Sequence, residues 1–425
     1  MKRILVAVGL AACTPGADPV DPPVDELPAG VWEPVPGAWI WDASQAAENG
    51  TVWWTYTQHV RQTDGFGDTN DVWLTATSAT GERQVAPSGV DPGSDAIWSP
   101  QVAVTPSAVI VMTRGNSSVI SRFDRSGSRL GAPTPITIDD GGRAATIGNT
   151  IDLVATPDGG AQLVAALFSE TAEVAIVDLD AAGATTRTVL LGPPDTTEPG
   201  GTAPNIVAAA PRADGSTIVA WDHHYNGCIS TRPSATLTAP FDGTNVGAIQ
   251  AVGDLPDRSE YLPAVAAAGS TAYIVWQSYS AGLPFSLAKY PDVGTVLAEV
   301  GDRNEESSAV TITLSAPGRG VISWNTYDAG RLNVVAFTES GGTVSFGSPH
   351  VVTAVNPLFG MTSTGLVHVG ADRYVLGWIE RRGASDEARL YATELDLAND
   401  ALRPAPPVEA RPPVPGMPQR ALHCP

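Results

Sequence analysis

Hydrophobic positions in this chain fall into short runs that end in an aromatic residue and then a polar turn, and one such run sets the pattern. Residues 271–279 (TAYIVWQSY) read as a buried β-strand closed by a tryptophan. Relatives occur at 50–56 (GTVWWTY), 216–224 (STIVAWDHH), 320–327 (GVISWNTY) and 373–381 (RYVLGWIER), with degenerate copies at 108–114 and 161–169. With Trp53, Met112, Ala166, Trp221, Trp276, Trp324 and Trp378 taken as equivalent, the steps are 59, 54, 55, 55, 48 and 54 residues. A period that steady specifies architecture before chemistry.

Each unit carries more than its tryptophan strand. Upstream lies a first strand, as in SPQVAV (99–104), APNIVA (203–208) and LPAVA (262–266), with proline expected at the strand's first residue, where no ladder donor is lost. Downstream a third strand breaks at Gly127, Gly183, Gly294 or Gly341, where a tight hairpin calls for positive φ. A less regular fourth strand follows. Four short antiparallel strands in units of about 45 to 55 residues describe a β-propeller, and the body resembles the propeller domains of secreted bacterial proteins. Seven units over 38–403 predict an all-β fold, a single propeller of seven four-stranded blades. Six or eight also fit, because the first and third units are weak copies. A string of sandwich domains is the rival fold, but one unit holds too few strands to bury a core alone. The tryptophans then pack between blades, the alternative being an aromatic platform for a ligand.

Composition agrees with many short strands. The 425 residues are 43% hydrophobic and only 16% charged, with 43 glycines and 36 prolines. Against 45 acidic residues stand 24 basic ones, of which only Lys2 and Lys289 are lysines. The net charge of −21 argues against a nucleic-acid partner and favours cationic ligands or divalent metals.

The N-terminus adds a destination. Lys2 and Arg3 precede the apolar run 4–12, which is too short to span a bilayer and ends in Leu10-Ala11-Ala12-Cys13. This leader resembles that of bacterial lipoproteins. The resemblance implies a signal peptide over 1–12, lipidation of Cys13 and a membrane partner through the lipid anchor, and Thr14 implies the outer membrane of the cell envelope. Residues 13–37, acidic and rich in proline, read as a tether to which Trp32 contributes the one bulky side chain. A second proline-rich stretch, 404–425, forms a C-terminal tail. Cys228 and Cys424 remain, and a disulfide between them is as consistent with an exported protein as two free thiols.

Candidate chemistry belongs to the connections between second and third strands and between blades, which emerge on one face. The first set places Tyr56, Arg114, Asp222, His223, His224, Tyr225, Tyr279, Tyr327, Glu380 and Arg381 there. The second places Asp91, Asp95, Asp139, Asp140, Glu198, Asp257, Glu260, Tyr261, Asp302, Glu305 and Glu306. Aromatic and charged groups on one acidic surface suit a sugar, a peptide or a cation, although any loop face is polar because water covers it. The densest group is 221–228 (WDHHYNGC). Its adjacent histidines chelate a metal only if the backbone turns, and His59, His350, His368 and His423 have no motif context. Asp64, Asp68, Asn70 and Asp71 resemble a calcium loop in donor content but lack the spacing of an EF-hand, so they read first as a solvated turn and only second as a calcium site. No other cofactor is expected.

Two functions of different kinds are open. One is a non-enzymatic binding or scaffold module for a protein, glycan or cationic ligand; the other is a glycan-processing hydrolase or lyase using paired carboxylates. The Asp boxes of sialidase-like propellers, a GxSxG elbow, a HExxH helix and the docking segments of quinoprotein propellers are all missing from the sequence, which favours the binding module. Oligomeric state is left open by the sequence.

Overall fold

The chain divides into two compact units, Met1–Glu33 and Pro34–Pro425. The computed structural model describes, all within the second unit, residues 38–409 apart from 62–67, 95–97, 115–117, 141, 169–172, 193–205, 224–234, 254–258, 280–284, 302–306, 327–330, 355–359, 382–387, 399–400 and 405–407. The expected signal peptide, Cys13, the expected tether, Cys228, Cys424 and the stretch beyond 409 therefore lie outside the described residues.

Seven antiparallel sheets follow one another along the chain, at 38–94, 98–136, 138–191, 207–251, 259–300, 307–353 and 360–409. In each, four strands pair in sequence order, and blades 3, 6 and 7 add one short extra strand. The first strand of every blade packs against the first strands of its two neighbours, and that of blade 7 (Gly360–Gly370) returns to that of blade 1 (Ala38–Glu48). These contacts close a ring of seven blades around an axis lined by first strands, the predicted β-propeller. Among the described residues no strand is exchanged between first and last blades: each blade is built from consecutive strands of the chain. Strictly alternating strand direction puts first-to-second and third-to-fourth turns on one face, the turn face. The second-to-third and between-blade connections are on the other, the loop face.

The hydrophobic alternation of period two explains how a blade fills two seams at once. In blade 4, Val219 and Trp221 join the cluster shared with blade 3, whereas Ile218 and Ala220 join the cluster shared with blade 5. Trp276, Trp324 and Trp378 likewise face the preceding blade, and all four tryptophans are buried as core. The register expected for the degenerate units is corrected by this parity. In blade 1, Trp54 and Tyr56 fill the seam with blade 7, while Trp53 faces blade 2. Met112 and Ala166 also point to the following blade, one position out of phase with the tryptophans.

First strands break register near the loop face in six blades, between Ile40 and Asp42, Trp98 and Gln101, Ile147 and Ile151, Tyr261 and Ala264, Ser307 and Val310, and Ser363 and Gly365. Pro100 and Pro263 fall inside two of these bulges, not at first residues as expected, and there too a missing donor breaks no ladder bond. At the turn face, Gly127, Gly183 and Gly341 adopt positive φ (81°, 74° and 59°) as their hairpins require, whereas Gly294 does not.

The turn face also absorbs acidic residues. Asp124 Oδ1 accepts from the backbone of Ser126 and Ser128, Asp180 Oδ1 from Ala182 and Ala184, and Asp242 Oδ1 from Thr244 and Asn245. Asp158 and Asp214 cap first-to-second turns in the same manner. Arginines tie neighbouring blades: Arg125 reaches Glu48 at 2.7 Å, and Arg319 grips Asp372 with Nε at 3.0 Å and Nη2 at 3.3 Å. Much of the charge read from composition is thus committed to holding turns and blades.

Candidate functional site

The loop-face end of the seam between blades 3 and 4 concentrates the polar chemistry of the described residues. Glu173 precedes the third strand of blade 3 (Val174–Leu179) and is held by its own backbone, its N–H donating to Leu191 O at 2.8 Å and its carbonyl accepting from Leu167 N at 2.8 Å. That fixes its carboxylate across the seam. Trp221 Nε1 donates to Oε2 at 3.0 Å, and His223 Nδ1 meets Oε1 at 2.5 Å, both from the second strand of blade 4 (Thr217–His223). With the carboxylate accepting, Nδ1 of the imidazole is the protonated donor. Both members of the His–Glu pair are 6% exposed in their side chains. Burial of this kind strengthens each bond and makes any loss of a partner costly.

The neighbouring polar groups continue down the same seam. Asp152 Oδ2 accepts from Ala209 N across it at 2.7 Å, and surrounding protein pushes this carboxyl up to about 6 by desolvation, against two backbone hydrogen bonds that oppose the shift. Thr217 donates to Gln162 Oε1 at 2.5 Å, and Gln162 Nε2 to Asp178 at 2.9 Å. Desolvation raises Asp178 as well. Asp222 turns back to its own blade, where its Oδ1 accepts from Ile206 N at 2.8 Å.

Several residues expected on loops sit inside the molecule. Tyr56 is completely buried between blades 7 and 1, and desolvation raises its phenol well above the usual range. Asp222, His223 and Glu380 are likewise buried, because the second strands run two or three residues past the tryptophan before the chain turns. Glu380 Oε1 accepts from Trp378 Nε1 at 2.9 Å, a pairing within one strand. Arg114 is partly buried, with a pKa lowered by desolvation, and donates Nη1 to the carbonyl of Gly148, in the bulge of the neighbouring first strand. It supports that bulge instead of standing free.

Other candidates are in strands or outside the described residues. Tyr279 and Arg381 end their second strands, Glu260 and Tyr261 begin a first strand, Asp91 lies in the outer strand of blade 1, and Asp139 and Asp140 form a short strand beside Arg143–Ala145. His224, Tyr225, Tyr327, Asp257, Asp95, Glu198, Asp302, Glu305, Glu306 and Asp64 lie outside. Asp68, Asn70 and Asp71 belong to a strand (Asp68–Ser78), in which the neighbours Asn70 and Asp71 alternate between its two faces. Among the described residues no group of three or more His, Cys, Asp and Glu is placed to hold a metal ion.

Glu173 went unnoticed in the sequence.

No protein-family model matches the chain, and no curated protein does either. Solved structures do. A protein of unknown function from Dyadobacter fermentans DSM 18053 aligns with TM-score 0.50 at 11% identity, over 85% of this chain and 95% of that one. Acylaminoacyl peptidase in complex with Z-Gly-Gly-Phe-chloromethyl ketone aligns with TM-score 0.50 at 12% identity, over 89% of this chain and 53% of that one. The β-propeller domain of the Trilobed protease from Pyrococcus furiosus aligns with TM-score 0.48 at 10% identity, over 85% and 96%. Identities this low speak for the fold alone.

Proposed function

We propose that this chain is an exported lipoprotein, anchored through acylated Cys13, whose propeller is a binding module presenting its loop face to a protein, glycan or cationic ligand. The observation that supports binding over hydrolysis is the use made of the carboxylates. Glu173, Asp222 and Glu380, three acids toward the loop face, are buried and accept hydrogen bonds from tryptophan, histidine or backbone donors of the fold. A glycosidase needs two carboxyl groups facing a shared cleft with room for the scissile bond, and these three are committed to the scaffold instead. The anchor is supported by Lys2-Arg3, the apolar run and Leu10-Ala11-Ala12-Cys13.

Two measurements test the reading. Cys13→Ser should release the protein from membranes washed with high salt and carbonate; retention would remove the anchor. The soluble C13S protein, applied to glycan and peptide arrays, should bind a ligand that mass spectrometry recovers intact. Recovery of cleaved ligand would replace the binding module with a hydrolase or lyase.

A further inference from the structure

Phe168 is 52% exposed, while Phe123, Phe241, Phe285 and Phe337 are buried to 1% or less. A single exposed apolar side chain is ordinary on a protein surface; the position of this one is not. It ends the second strand of blade 3 (Ala161–Phe168) at the loop face, paired with Thr146. Val164 and Ala166 on the same strand point into the seam with blade 4, and alternation puts Phe168 on that same side, at the lip of the seam. Beneath it the chain returns at Glu173, whose carboxylate holds Trp221 and His223. An exposed aromatic ring therefore stands at the mouth of the seam richest in polar groups.

We propose that Phe168 is a stacking platform for a sugar ring of a neutral glycan, seated at the loop-face end of the blade 3–4 seam; this rests on the binding-module reading above. The choice of ligand follows from charge. The protein's net charge of −21 repels acidic glycans. Both oxygens of Glu173 are engaged by Trp221 and His223, so the carboxylate under the ring is already matched by donors and offers little to a cationic group. A neutral ring with an apolar face and hydroxyls at its edge uses what is present: the face of Phe168 and the polar side chain of its exposed strand partner Thr146.

The test uses the C13S protein, its Phe168→Ala variant and its Phe168→Trp variant on neutral, sialylated and sulfated oligosaccharides and on neutral and Lys/Arg-rich peptides. The account expects C13S to select neutral oligosaccharides, F168A to bind them about tenfold or more weakly with an unchanged melting temperature, and F168W to retain binding. Undiminished glycan binding by F168A, or selection of basic peptides by the parent protein, would overturn the platform while leaving the binding module in place. A parent protein that binds nothing on the arrays would remove both.

Discussion

Two seams of the same ring are held together by different means. Between blades 7 and 1, where the first and last stretches of the propeller meet, closure is mainly apolar: Ile40, Val52, Trp54 and Tyr56 pack with Val375, Ile379 and Leu390. Gln45 adds a polar stitch, its Nε2 donating to Val375 O at 3.2 Å. Gln45 fits because Gly377 leaves room: a Cβ there would lie 2.5 Å from Gln45 Oε1, 2.5 Å from Thr364 Oγ1 and 2.6 Å from the Trp54 ring. Between blades 3 and 4 there is an apolar cluster too, but it is interrupted by Glu173, His223, Asp152 and the Thr217–Gln162–Asp178 chain. The 7–1 seam shows that mainly apolar packing closes this ring. Buried polar pairs are weak contributors to stability relative to apolar replacements of the same shape, so the polar groups of the 3–4 seam point to a role beyond cohesion.

The comparison is sharpened most by removing one stitch from each seam. Glu173→Ala strands the donors of Trp221 and His223 in a buried site and should cost about 2–3 kcal/mol of unfolding free energy. Gln45→Ala removes one neutral bond together with a buried Oε1 that has no partner, and should cost about 1 kcal/mol or less. Denaturant titration of both variants checks the contrast, and equal losses would erase it. Gly377→Ala comes next: overpacking the Gln45 socket should cost about 1–3 kcal/mol, whereas alanine at Gly215, where nothing lies within 4 Å but φ is +85°, acts only through backbone strain.

Changes of pH act on single carboxyls. Asp152, raised to about 6 in the folded state, favours the fold when protonated; that contribution is fully present below the ordinary aspartate pKa and is lost as pH rises through about 6. Asp152→Asn should flatten this arm of the stability profile by up to about 3 kcal/mol. The turn carboxylates Asp124, Asp158, Asp214 and Asp242 are lowered by the backbone and hydroxyl donors that they accept from, so their contribution is present above the ordinary aspartate pKa and fades as pH falls through their depressed values. Melting curves from pH 3 to 8 on the parent and D152N proteins separate the two arms.

The ring itself was legible in the sequence because blades repeat the same burial problem, and repeated apolar strands leave a period that survives weak copies. Register inside a unit was less legible. GTVWWTY offers two adjacent tryptophans, and only the neighbouring blades decide that Trp54 faces backward and Trp53 forward. Asp222, His223 and Glu380 read as loop residues because polar side chains after an aromatic usually mark a turn, yet the strands continue and their partners cover them. Glu173 was invisible for a more general reason. Its partners lie 48 and 50 residues away, in the next blade, and no local pattern encodes a hydrogen bond across a seam.

The most direct test of a functional 3–4 seam is to make it resemble the 7–1 seam. In the C13S background, the triple variant Glu173→Leu, Trp221→Phe, His223→Leu replaces the buried polar cluster with apolar side chains. Melting temperature and affinity for the array ligand bound best by the parent would then be measured side by side. The account predicts a melting temperature within a few degrees of the parent, since such replacements are often neutral, and binding weakened about tenfold or more. A triple variant that unfolds readily yet, while folded, binds as the parent does would show the cluster to be structural, and would contradict the account.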